Sequence, residues 1–156
     1  MERFDEFIQI IFYNEGFLSN DKADKGGLTK YGISKRAYPH LDIANLTQEH
    51  AEQIYKHDYY LPCKIDNIKD KLLALHVFDF AVNAGISRSI KMLQKVIGAK
   101  VDGIIGNQTI SLANNGDFAQ DFITARINYY KSIAIGTNSK FLHGWLNRVA
   151  NTTKAL

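Results

Sequence analysis

Two carboxyls with opposed surroundings stand near the start of the chain. Glu15 closes an amphipathic stretch in Asn14-Glu15-Gly16-Phe17, and Asp24 opens Asp24-Lys25-Gly26-Gly27-Leu28-Thr29-Lys30-Tyr31-Gly32-Ile33-Ser34. At a helix C-terminus the backbone carries partial negative charge, which disfavours an ionised Glu15. Desolvation beside Phe12, Phe17 or Tyr31 would act in the same direction and raise its pKa. A carboxyl that keeps its proton near neutral pH is what a general acid needs. Asp24 lies in a polar, glycine-bearing loop, where backbone N–H groups and water would keep it ionised. The Thr29 hydroxyl supplies no carboxylate, but it can position water. Taken singly, a Glu at a helix end is ordinarily a solvated surface residue, and an Asp before Gly-Gly ordinarily makes a turn. The three residues at this spacing together point to acid–base chemistry.

Helices must hold them. Phe4, Phe7, Ile8, Ile11 and Phe12 recur at one-face helical spacing, with acids at 2, 5 and 6 on the positive end, so a helix is expected from residue 2 to Glu15. Leu28-Thr29-Lys30-Tyr31 suits a strand, and a β-hairpin or loop is expected near residues 24–33. Further helices are expected from Ser34 to Ala37, after Thr47, after Asp70, after Ser87, after Asn107, after Asp117, and from Lys140 to Val149. The fold class is mainly α, with one small β element. A shift near Gly85–Ser87 divides the chain into regions 1–86 and 87–156, expected to pack as one compact unit because each alone would bury a modest core.

Composition excludes several classes. The chain has 156 residues and a net charge of +3, with one cysteine, Cys63. An intramolecular disulfide and a cysteine-based zinc cage are therefore ruled out. The histidines form no HExxH pattern, Gly26-Gly27-Leu28-Thr29-Lys30 lacks the order of a phosphate loop, and no Gly-x-Ser-x-Gly elbow occurs. No metal or cofactor is expected. Mild basicity suits an anionic polymer, but there is no nucleic-acid module, and no apolar run is long enough for stable membrane insertion. Three acids among the first six residues argue against a Sec-type signal peptide, so synthesis in the cytoplasm is expected.

The residues around Glu15 and Asp24 resemble the site of phage-type lysozymes, and the match is closer to glycoside hydrolase family 108. It is carried by Glu15-Gly16, Asn20-Asp21, Asp24 through Ser34, and Tyr59-Tyr60. It continues through Phe78-Asp79-Phe80-Ala81-Val82-Asn83-Ala84-Gly85, Leu93-Gln94, Asp102 through Thr109, and Gly144 through Val149. One departure is Phe17, where the family pattern has a second glycine. The resemblance implies a lysozyme-like helical fold that cuts the β-1,4 link between N-acetylmuramic acid and N-acetylglucosamine. Glu15 would be the acid, with Asp24 and Thr29 orienting water or stabilising charge, and Asp21 competes with Asp24 as second carboxylate. A carboxyl separation of about 6.5–9.5 Å would favour inversion and about 5–5.5 Å retention. A lytic transglycosylase and a non-catalytic peptidoglycan-binding or secretion-assisting protein are the alternatives.

The later motifs carry two readings each. Tyr31, Tyr59, Tyr60 and Trp145 offer faces for sugar rings or belong to core and rim. Asp79 and Asn83, one helical turn apart among apolar residues, either recognise substrate or brace the site through internal hydrogen bonds. Arg148 either pairs with a carboxylate inside the protein or touches substrate. Asp102-Gly103 and Gly106-Asn107 make turns, and by resemblance to small peptidoglycan-binding modules they are also candidate glycan or stem-peptide contacts. Glycan strands are the expected partner of a monomer acting in the periplasm or cell wall. Without a signal peptide, release would need a holin or a secretion partner.

Overall fold

A computed structural model describes residues 1–16, 18–19 and 28–156. The chain forms two compact units, Met1–Asp58 and Tyr59–Leu156. Among the described residues no helix is long and apolar enough to cross a membrane.

The first unit is built on α1 (Arg3–Glu15). Its buried residues are Phe4, Phe7, Ile8, Ile11 and Phe12, the stripe expected from the spacing. Asp5 accepts a hydrogen bond from the Glu2 N–H at 3.3 Å and tidies the start of the helix. Gly16, with φ 80°, ends it immediately after Glu15. Three two-residue strands follow, β1 (Leu18–Ser19), β2 (Thr29–Lys30) and β3 (Ile33–Ser34), antiparallel in the order β1-β2-β3. Ser34 does not open a helix. Its Oγ accepts from the Ala37 N–H at 3.1 Å, but the segment makes only a turn before Pro39. A 3-10 turn at Ile43–Asn45 precedes α2 (Gln48–Tyr55), whose Thr47 cap accepts from the His50 N–H at 3.1 Å. Phe12 and Tyr55 meet edge to face at 5.8 Å, which ties α1 to α2. A π turn, Lys56–Tyr60, leads out of α2.

The second unit is a cluster of helices around α3 (Lys71–Ala84). Asp70 caps it by accepting from the Leu73 N–H at 3.0 Å. Every residue from Leu73 to Ala81 is buried, the signature of a helix surrounded on all sides. Its neighbours are α4 (Ile86–Ile97), α6 (Ala119–Ile133) and α7 (Leu142–Lys154), with the short α5 (Asn107–Ala113) against α4. The break between α3 and α4 is one residue, Gly85. Ser87 therefore sits inside the first turn of α4 rather than capping it. Gly106, not Asn107, precedes α5. A 3-10 segment at Gly136–Phe141 runs directly into α7.

Candidate functional site

Glu15 occupies the last position of α1 and is half-buried. The turn between β2 and β3 holds it there. Thr29 pairs with Ser34 and Lys30 with Ile33, leaving Tyr31 and Gly32 as a two-residue loop. Both have positive φ, 53° and 76°, as the tight hairpin turn requires. Glycine adopts this freely, but a tyrosine there is strained by about 1–3 kcal/mol. Its surroundings hold it: the Tyr55 hydroxyl donates to the Tyr31 carbonyl at 2.8 Å, and the Phe12 and Tyr31 rings meet at 5.4 Å. The turn lies directly on the acid. A Cβ added at Gly32 would stand 2.7 Å from Glu15 Cβ and 3.0 Å from its Cγ, and would also strike the Tyr55 hydroxyl. Glu15 thus has its methylene stem clamped between a helix end and a hairpin backbone.

Thr29 lies on β2, half-buried, and Tyr31 lies in the turn beside Glu15. Asp21 and Asp24 fall outside the described residues. Tyr55 and Gly32 were missed as positioning groups. Their signal in the sequence was weak, because a Tyr on a helix stripe and a Gly in a turn have many ordinary uses.

Of the two readings of Asp79, a substrate contact or an internal brace, the second unit shows the brace. Asp79 is fully buried. Arg126 Nη2 donates to its Oδ2 at 2.6 Å and Arg148 Nη2 to its Oδ1 at 2.9 Å, with Thr152 Oγ1 at 3.3 Å from Oδ2. Burial pushes its pKa up, but the two guanidiniums outweigh that and hold it well below the usual carboxylate range. Arg148 thereby has an internal carboxylate partner. Asn83 accepts from the Tyr130 hydroxyl, which also receives Arg126 Nε at 3.2 Å and Nη2 at 3.0 Å, so both polar residues of this face brace the helices. Arg126 Nη1 lies 3.2 Å from His76 Nδ1. A guanidinium only donates, so Nδ1 accepts and Nε2–H donates to Thr153 Oγ1 at 3.0 Å. Burial first, then Arg126, push the His76 pKa down to about 3. Arg126 and His76 went unread in the sequence, although a charge one turn from Phe122 and from Tyr130 on an apolar stripe was a visible anomaly.

Tyr60 is also withdrawn from substrate: it is buried, its hydroxyl bonded to Asp66 and its ring edge-on to Phe78 at 5.2 Å. Tyr59, its neighbour, is half-buried. Trp145 stacks on Tyr130 at 5.4 Å. In the Asp102–Thr109 segment the polar atoms fold back on Gln94. Its Oε1 accepts from the Asp102 and Gly103 N–H groups at 3.1 and 2.9 Å, and its Nε2 donates to Asp102 Oδ1 at 2.9 Å and the Ile104 carbonyl at 3.0 Å.

Comparison with known proteins gives this geometry a class. A model of the family described as glycosyl hydrolase 108 matches residues 8–85, half of the chain, a span that includes Glu15, the hairpin and Tyr55. A second model, described as a predicted peptidoglycan domain, matches residues 88–150. The class is that of peptidoglycan-active glycoside hydrolases. The chain belongs to glycosyl hydrolase family 108. The structure of SagA from Brucella abortus is similar, with a TM-score of 0.82 and 29% identity over 97% of this chain and 92% of that one. No curated protein matches.

Proposed function

We propose that the protein hydrolyses the β-1,4 link between N-acetylmuramic acid and N-acetylglucosamine, with Glu15 as general acid. The observation that carries this reading is the clamp on Glu15, because a proton donor must be held within hydrogen-bond reach of the bond it cleaves. Glu15 gives its proton to the bridging oxygen as the glycosidic bond breaks. Positive charge develops on the sugar ring and its oxygen. A water molecule, deprotonated with help from Asp24 and oriented by the Thr29 hydroxyl, completes the reaction at the anomeric carbon. Asp21 is the competing second carboxylate. Substrate reaches the enzyme in the periplasm or cell wall, after release through a holin or a secretion partner.

The test is digestion of purified peptidoglycan followed by mass spectrometry of the products. Muropeptides heavier by one water, with N-acetylmuramic acid at the new reducing end, are expected from the wild type. Glu15→Gln should lose at least a hundredfold in rate while keeping its circular dichroism and melting temperature. Anhydro ends would identify a transglycosylase. Binding without product would identify a peptidoglycan-binding protein, and a Glu15→Gln variant above a tenth of wild-type rate would remove Glu15 from the mechanism.

A further inference from the structure

The second unit carries a groove of about 980 Å³ between α4 and α6. Three cations line it, Arg88, Lys91 and Lys95, all exposed and spaced so that one face of α4 presents them together. No carboxylate is among its lining residues. Met92 and Val96 form part of an apolar floor, and half-buried Tyr129 contributes from α6. Two of the cations lie against neighbouring residues. The Arg88 guanidinium lies 5.0 Å from the centroid of the Tyr129 ring, a cation–π contact. The Lys91 side chain runs over Gly103, where an added Cβ would stand 3.2 Å from Lys91 Cε. The groove is therefore a concave, cationic surface with an apolar base and an aromatic wall.

We infer that this groove seats the peptide stem of peptidoglycan, with Arg88, Lys91 and Lys95 receiving the stem's carboxylates. This rests on peptidoglycan as the substrate of the enzyme. The stem is the anionic part of that polymer, and its alanine methyls and diamino-acid methylenes suit the floor. The seven-residue step from Arg88 to Lys95 spans about 10 Å along the helix axis. About three residues of an extended peptide cover the same distance. A flat basic patch would suit a lipid surface equally well, but a concave groove of about 980 Å³ suits a chain.

The experiment titrates the full-length protein with a synthetic stem tetrapeptide bearing free carboxylates, with the same peptide fully amidated, and with phosphatidylglycerol vesicles. A triple variant, Arg88→Gln with Lys91→Gln and Lys95→Gln, alters only exposed side chains, and its melting curve checks that it is folded. The wild type should bind the free-carboxylate peptide. Amidation of the peptide, or the triple substitution, should each weaken binding roughly tenfold. Equal binding of the amidated peptide, wild-type affinity in the triple variant, binding to vesicles alone, or no binding to any probe would each overturn the assignment. The peptide contains no glycosidic bond, so its failure to bind leaves the acid role of Glu15 standing. A Glu15→Gln chain should bind it as the wild type does.

Discussion

Gly32 has no side chain where the hairpin backbone meets the stem of Glu15, and it also has a positive φ. Gly32→Ala tests both demands together. The left-handed conformation alone costs about 1–2 kcal/mol for an L residue. The new methyl must also displace Glu15 or the Tyr55 hydroxyl. Peptidoglycan hydrolysis should fall by more than tenfold, since a shift of about 1 Å in a catalytic group can cost a hundredfold. A melting curve and a rate assay on one preparation separate the two effects. Loss of stability with undiminished rate would show that the clamp is irrelevant to catalysis. At this scale the placement of Glu15 at a helix end was legible, because the apolar stripe before it and Gly16 after it are sequence properties. Asp79 was half legible. The spacing showed a polar residue on an apolar face, but only folding brings Arg126 and Arg148 to it, across long stretches of chain.

At the scale of elements, long amphipathic helices were readable and short irregular ones were not. α1 follows its apolar stripe, and α2 and α3 start at Thr47 and Asp70, residues whose side chains supply the missing acceptors. The 3-10 turns at Ile43–Asn45 and Ile65–Asn67 are too short to leave a periodic pattern. Ser34 shows the limit of a local signal: it forms the capping bond, yet its residue pairs with Thr29 in the sheet. Asp79 joins three elements, because α3 supplies the carboxylate while α6 and α7 supply the guanidiniums. Asp79→Asn leaves two buried or nearly buried cations undercompensated and should destabilise the protein by about 3–5 kcal/mol. Urea unfolding measures this, and a loss below about 1 kcal/mol would mean that the helices do not depend on the pair.

For the whole molecule, the buried His76 predicts acid sensitivity. Its pKa drops on folding to about 3, so it stays neutral in the native state and takes up a proton on unfolding. Its contribution is full above the unfolded value near 6.5 and declines as pH falls towards 3. The slope is about 1.4 kcal/mol per pH unit, or about 2 kcal/mol lost between pH 7 and pH 5. Asp79, held below the carboxylate range, adds a further loss only below about pH 4. Unfolding free energies at pH 7 and pH 5 should differ by this amount in the wild type. The difference should largely vanish in His76→Gln, which keeps a donor and an acceptor. An unchanged difference would place the acid sensitivity elsewhere. The mainly helical class was legible from composition and period. The arrangement of helices about α3 was not, because it depends on which apolar faces meet.

Arg148 reaches Asp79 from α7, and this bears on synthesis. A ribosome that has released α3 and α6 has supplied the carboxylate and one of its two cations; the second comes only when α7 emerges. Until then Asp79 lacks half of its compensation, so burying α3 is disfavoured. The second unit is thereby disfavoured from closing until α7 has been made, which leaves the growing polypeptide loose rather than prematurely locked.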